Sequence, residues 1–399
     1  MNGEASTLDN PLWGPDWQQV RTFWSLDPSV AHLNHGSFGA VPIPVQRAQD
    51  ELRRQVEANP MKSLSRALEG ELNKARTVAA SFLGGDIDGF AFVPNATTGA
   101  NTVLTNIALR QGDEVLITDQ TYGAVRFAAE RACAAKRAKL VVSEAPLPRR
   151  SPDELIEAVL AKITNKTRLV VVDHIASPTG LVFPIARLVE EIHRGGALVM
   201  VDAAHSPGML DVNLKALDPD FWTGNFHKWC CAPRGSAGLW VREDHRKTIA
   251  PIITSWFLNE GYPSSFRWLG TDDYTPYLTV PAALKFMESL GWERVRRHNR
   301  ALARYGREVV ESALSTGPAL GPGLDQMFEA MTLVRLPKGV AENDEEARAL
   351  QARIAEELAV EAAPVAWNGR GYLRLSAQVY NAPAEYDSLA KGISRLAHP

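Results

Sequence analysis

Ala197-Leu198-Val199-Met200-Val201-Asp202-Ala203-Ala204-His205 is an apolar run that ends abruptly on a carboxylate, and a lysine among aromatics follows it in Gly224-Asn225-Phe226-His227-Lys228-Trp229. A run this short and this apolar suits a strand buried on both faces of a parallel sheet. Arg168–Asp173 is a second such run, and the helical stretch Ile185–Arg194 separates the two. Working outward, Phe90–Val93, Glu114–Thr118 and Lys139–Ser143 read as strands. Thr98–Leu109, Tyr122–Ala135 and Pro152–Ile163 read as the helices between them, the last opened by Ser151 with proline at its first position. This alternation predicts an α/β fold with a doubly wound, mostly parallel sheet and right-handed crossovers.

The rhythm changes near residue 275. Val280–Leu314 is helical with a break near Gly291, and Met331–Arg335 and Tyr372–Leu375 are strands on either side of a helix at Asp344–Leu358. These segments predict a smaller α+β unit. The expected organisation is an N-terminal segment, 1–30, whose Trp13, Trp17, Phe23 and Trp24 pack against the rest; a large unit, 31–275; and a C-terminal unit, 276–399.

The 399 residues are 45% hydrophobic and 22% charged, which excludes a disordered chain. A net charge of −3, with no run rich in lysine and arginine, argues against nucleic acid as a partner. The N-terminus lacks the basic and apolar regions of a signal peptide. The apolar runs fall far short of the roughly 20 residues that cross a bilayer, so the expected location is cytoplasmic, away from membranes. Cys133, Cys230 and Cys231 form neither a disulfide framework nor a CxxC pair, so they read as reduced, buried thiols and no metal is expected.

In an open α/β sheet, ligands gather beyond the carboxyl ends of the strands. Asp202 sits at such an end. It either caps the following helix or holds a cationic ring nitrogen, staying ionised against that charge. Phe226, Trp229, Cys230 and Cys231 desolvate Lys228, lowering its proton affinity and making its amine nucleophilic. An upstream aspartate and a nucleophilic lysine fit a Schiff-base aldehyde cofactor with a pyridinium nitrogen, namely pyridoxal phosphate. Its phosphate needs a site. Thr97 and Thr98 stand where a helix begins after a strand, which is either a plain cap or a dianion site. Asn225 and His227 can donate to the same phosphate, and Tyr122 either stacks on the ring or belongs to the core. No G-x-G-x-x-G or G-x-x-x-x-G-K-[ST] motif is present.

These stretches, with His32-Leu33-Asn34-His35-Gly36-Ser37-Phe38-Gly39, Asn95-Ala96-Thr97-Thr98-Gly99-Ala100-Asn101 and Trp268-Leu269-Gly270-Thr271, resemble the class V aminotransferases, and within them the isopenicillin N epimerase-like proteins. The resemblance runs from about residue 20 to the end. It implies a fold type I pyridoxal-phosphate enzyme in which Lys228 is the Schiff-base lysine, Asp202 pairs with the ring nitrogen and Tyr122 stacks on the ring. It places Ser177 and His205 near the ring hydroxyl, and Ala96, Thr97, Thr98, Asn225 and His227 around the phosphate. It puts Thr271 on the phosphate of a second subunit, hence a homodimer with shared sites. Asn34, His35 and Arg374 are expected on an amino-acid-type substrate, with the Arg374 fork gripping a carboxylate; the alternative for Arg374 is an exposed strand arginine.

No cysteine follows Cys231, so the late-loop thiol of a persulfide-forming desulfurase is missing. The expected activity is epimerisation at an amino-acid α-carbon, with Lys228 on one face and His35 or Tyr122 as the second acid/base. A β-eliminating C–S lyase and an aminotransferase remain open, each needing only Lys228, as does a silent ligand sensor. Phe226, Trp229, Trp256, Phe266 and Trp268 either line the substrate pocket or fill the core.

Overall fold

The structure is a computed structural model that describes residues 16–144, 151–324 and 326–397. Its strands, in chain order, are β1 (Ala31–His32), β2 (Phe90–Val93), β3 (Glu114–Thr118), β4 (Lys139–Ser143), β5 (Thr167–Asp173), β6 (Leu198–Asp202), β7 (Phe221–Asn225), β8 (Ala237–Val241), β9 (Met331–Arg335), β10 (Val360–Glu361), β11 (Ala363–Trp367) and β12 (Arg370–Ser376).

Seven strands form one sheet in the order β2-β8-β7-β6-β5-β3-β4. The pairs from β7 to β4 are parallel, and β8 runs antiparallel to both its neighbours. The expected doubly wound, mostly parallel sheet is therefore present. β5 and β6 are buried along nearly their whole length, as their apolar runs require. β7 and β8 lie inside the sheet although their glycines and polar residues give little strand signal. Burial of Phe221, Trp222, Leu239 and Val241 overrides that weak local propensity.

The helix after β2 runs Ala96–Asn106, earlier at both ends than the sequence pattern indicates. Asn95 caps it, accepting from the Thr98 amide at 2.8 Å. Gly99 lets this helix press against β7: a Cβ there would lie 2.1 Å from Thr223 Oγ1. The next helix, Gly123–Lys136, begins just after Tyr122.

The C-terminal residues form an antiparallel sheet, β11-β12-β9, backed by helices Trp292–Leu314, Asp344–Leu358 and Pro383–Ala397. β1 pairs with β10, so the chain near residue 31 joins this unit. Helix Thr275–Leu290 instead packs on helices Ile43–Ala58 and Leu68–Phe82 beside the large sheet. Each end of the expected large unit thus exchanges material with its neighbour. Trp24 is buried against Phe286 and Tyr380, while Phe23 is more exposed. Trp13 and the Trp17 side chain lie outside the described residues. Among the described residues, no helix is long and apolar enough to cross a membrane.

Candidate active site

The carboxyl ends of β5, β6 and β7 converge on a cavity of about 400 Å³. Its wall includes Ala96, Thr97, Tyr122, Ser177, Asp202, His205, Asn225, His227, Lys228 and Arg374. Residues far apart in sequence meet because each follows a strand of the same sheet, except Arg374, which β12 brings over from the C-terminal unit.

Lys228 is held from three sides. Gly39 crosses directly over it, where a Cβ would come within 2.4 Å of the His227 carbonyl oxygen and 2.8 Å of the Lys228 carbonyl oxygen. His35 Nε2 lies 3.0 Å from the Lys228 carbonyl oxygen, and Lys228 Nζ lies 3.1 Å from His205 Nε2. Burial lowers the proton affinity of the amine to about 7; the Arg374 guanidinium adds to this, and Asp202 opposes it.

Asp173 and Asp202 are direct neighbours across the parallel β5–β6 pair, both buried and both on the cavity wall. Burial raises Asp202 to about 6, against a hydrogen bond from the Ala204 amide and the charge of Lys228. Burial and then the Asp202 charge push Asp173 well above the ordinary range. Its Oδ2 has no hydrogen-bond partner among the described residues. Two adjacent carboxylates that titrate apart give one neutral acid and one that is ready to ionise against a cation.

At the helix end, the Ala96 amide donates to Asn225 Oδ1 at 2.9 Å, fixing the helix N-terminus to β7. His227 Nδ1 donates to the Ser236 carbonyl at 3.0 Å, so Nε2 is the nitrogen left for a ligand. The Thr98 hydroxyl turns inward to Asn95 Oδ1 at 3.1 Å and does not line the cavity. Arg374 is only 5% exposed, so it is not the alternative surface arginine. It donates to the Ser177 carbonyl, to Ser177 Oγ at 3.3 Å, to Asn34 Oδ1 at 3.4 Å and to Ser37 Oγ at 2.9 Å. No carboxylate pairs with it among the described residues, and its Nε is unpartnered. Burial lowers its proton affinity, yet only to about 10, so it remains a cation.

Several expected positions differ. His35 is fully buried behind Lys228 and does not line the cavity. Its Nδ1 meets Tyr380 Oη at 2.8 Å, its Nε2 is taken by the Lys228 carbonyl, and burial lowers it to about 3. It therefore presents no proton to the cavity. Asn34 does not line the cavity and reaches the site through Arg374 and Ser37. Thr271 is exposed and absent from the wall of its own subunit's cavity. Phe226, Trp229 and Phe266 are buried core residues, Trp268 is half-buried and Trp256 is 86% exposed. Ser37, Phe38 and Asp173 also line the cavity. Of these, Asp173 was findable, because it ends the second apolar run as Asp202 ends the first.

A buried, unpaired guanidinium calls for an anionic occupant, since an isolated buried charge costs several kcal/mol. The helix N-terminus suits a dianion, the depressed amine suits an aldehyde and Asp202 suits a cationic ring nitrogen. The residues present thus fit pyridoxal phosphate together with an amino-acid carboxylate.

The sequence matches the family model described as aminotransferase class-V over residues 40–355. It is 35% identical, over 96% of this chain and 98% of the relative, to an isopenicillin N epimerase of Amycolatopsis lactamdurans. It is 30% identical, over 95% of this chain and 86% of the relative, to a putative L-cysteine desulfhydrase 1 of Oryza sativa subsp. japonica. Among solved structures, the apo cysteine desulfurase of Thermococcus onnurineus NA1 superposes with a TM-score of 0.79 at 21% identity, covering 95% of this chain and 98% of that one. That last likeness carries the fold, while the family match and the epimerase relative span most of the sequence. The chain belongs to the class-V aminotransferase family and is a fold type I enzyme whose cofactor is pyridoxal 5′-phosphate.

Proposed function

We propose that the enzyme inverts an amino acid at its α-carbon, with Lys228 as the base on one face and the Tyr122 phenol as the proton-bearing group on the other. The observation that carries this reading is a buried amine with its proton affinity lowered to about 7, in one cavity with an oriented and unpaired arginine. The 35% identity to an isopenicillin N epimerase supports the same choice.

Pyridoxal phosphate, when bound, supplies the electron sink that makes the α-proton removable. The chain's own residues do the rest. Arg374 fixes the substrate carboxylate with a fork already aimed by Ser177, Asn34 and Ser37. Lys228 Nζ, once uncharged, accepts the α-proton. Asp202 holds a proton on the cofactor's ring nitrogen, and neutral Asp173 beside it leaves that carboxylate as the single local negative charge. The Thr97 amide, with the Asn225 side-chain NH2 and His227, would hold the phosphate, and Ala96 and Thr98 would shape that site through their bonds to Asn225 and to the Asn95 cap. Ser177 and His205 would stand near the ring hydroxyl, His205 through the same Nε2 that meets Lys228 Nζ. Tyr122, on the wall and 47% exposed, can lie over the ring and still reach substrate.

One observation favours a second reading, β-elimination by a C–S lyase. His35 is sealed away, which removes one of the two candidate second acids and leaves Lys228 sufficient by itself. Turnover of a panel of L- and D-amino acids in D₂O separates the readings. Epimerisation gives the inverted amino acid with deuterium at the α-carbon and no keto acid. Stoichiometric keto acid with a released thiol would replace this reading with elimination, and keto acid with an aminated cofactor would replace it with transamination.

A further inference from the structure

We propose that Trp229 is a positioning residue whose indole N–H locks His205 in the Nε2–H tautomer, so that His205 donates its hydrogen bond to Lys228 and the lysine can accept it only as a free amine. The proposal rests on the reading of Lys228 as the base. It adds a device that selects the protonation state of that base.

An indole nitrogen can only donate. Trp229 Nε1 donates to His205 Nδ1 at 3.4 Å, and no other group among the described residues bonds that nitrogen. An Nδ1 that accepts carries no proton, so the proton of the neutral ring sits on Nε2. The ring is neutral because it is fully buried among cations. Burial and then Lys228, Arg374, His227 and His35 all lower its proton affinity, well below the ordinary value.

Nε2 stands 3.1 Å from Lys228 Nζ. An Nε2–H opposite an ammonium would set one donor against another. Opposite an uncharged amine it meets a lone pair. The geometry therefore favours the amine that can attack an aldehyde or take a proton. In the other tautomer the Nε2 lone pair would accept from the ammonium and favour the charged lysine. The remaining charged groups around Lys228 are Arg374, which favours the amine, and Asp202, which favours the ammonium.

Packing fixes the indole. Trp229 is 2% exposed, clusters with Ile175, Met209 and Met331, and meets the His35 ring at 4.9 Å. The chain at Gly208 passes so close that a Cβ there would lie 2.7 Å from the Trp229 carbonyl.

The test compares the full chain with its Trp229→Phe variant, which keeps an aromatic ring and removes the donor. Histidine ¹⁵N NMR of the full chain, with and without pyridoxal phosphate, reads the tautomer; loss of one signal in His205→Asn assigns it. Wild type should show a bare Nδ1 and a protonated Nε2 from about pH 6 to 9, the range in which an ordinary histidine titrates or has lost its proton. Trp229→Phe should move the signal toward the Nδ1–H form.

Capture of added pyridoxal phosphate by the cofactor-free chain is the second readout. In that step the Nζ lone pair attacks the aldehyde carbon, a C=N bond forms and water leaves. Its rate should be half-maximal at about pH 7 in wild type. In Trp229→Phe the midpoint should rise by about one unit, making capture roughly tenfold slower below it. A protonated Nδ1 in wild type would overturn the proposal, whether or not the variant folds. So would an unchanged midpoint in a folded Trp229→Phe. Borohydride reduction and peptide mapping keep the two readings apart. A pyridoxyl group on another lysine sinks the assignment of Lys228, whereas a wrong tautomer with the label still on Lys228 sinks only the role of Trp229.

Discussion

A guanidinium deep in a protein is tolerated when its donors are satisfied and its charge is answered. Arg374 meets the first condition at its two terminal nitrogens through Ser177, Asn34 and Ser37, and leaves Nε and the charge to whatever enters the cavity. Lysine cannot reproduce that planar fork. Arg374→Lys should therefore raise KM for the amino acid by about ten- to a hundredfold, the loss of one or two charge-assisted hydrogen bonds. Its effect on kcat should be smaller, which steady-state kinetics would check. His35 makes the opposite case. Both its nitrogens are spent on Tyr380 and the Lys228 carbonyl, so it aims the lysine's backbone. His35→Gln should keep α-proton exchange in both directions, with a rate loss of about tenfold or less, the worth of one neutral hydrogen bond. Loss of exchange from one enantiomer alone would restore His35 as a proton donor.

At the level of elements, the sheet does the positioning. Strand-end residues were legible because an α/β sheet converts sequence position into location: Asp202, Tyr122, Asn225 and Lys228 meet at one edge for that reason. The helix start was legible to within two residues, since Asn95, rather than a threonine, supplies the cap. The β7 and β8 strands carry a weaker signal of their own, because Gly224, Asn225 and Gly238 disfavour strand and burial of Trp222 and Leu239 decides the outcome. The withdrawal of His35 was not legible either, since it depends on Tyr380, a residue from the far end of the chain.

The opposite edge of the same sheet is tied by Asp220. It accepts from the Val199 amide at 2.7 Å, from His193 at 2.9 Å, from His245 at 2.7 Å and from Arg242 at 2.6 Å. Burial alone would raise this carboxyl, but the bonds from His245, Val199 and His193 and the charge of Arg242 outweigh it and hold it below the ordinary value. A depressed folded-state value gives stability that is present above the unfolded value, near 3.8, and is lost as pH falls through the folded one. Asp220→Asn should cost about 1–3 kcal/mol at neutral pH, because it removes the buried charged acceptor that the half-buried Arg242, His193 and His245 share. Its urea midpoint should also fall less steeply than wild type below about pH 4, where the native carboxylate is itself being protonated.

For the whole molecule, several large apolar side chains face outward. Ile252, Ile253, Trp256 and Leu258 are exposed on one segment, and Phe38 at the cavity wall is 74% exposed. Exposed apolar side chains of this size are commonly covered by a partner. Thr271 follows on the same stretch of chain, exposed and away from its own cavity. We propose a homodimer in which each Thr271 reaches the partner's phosphate site and the second copy covers these side chains. Lys228→Ala and Thr271→Ala each damage a different half of such a shared site. In a mixed dimer one of the two sites would pair an intact Lys228 with an intact Thr271, while the other would carry both lesions. Mixing the two inactive homodimers under conditions of subunit exchange should therefore restore up to about a quarter of wild-type activity, since random exchange gives about half mixed dimers with one good site each. Size measurement by sedimentation should show the dimer throughout. A fully active monomer, or mixtures that never exceed the sum of the two variants although exchange is demonstrated, would leave Thr271 without a role in the neighbouring site.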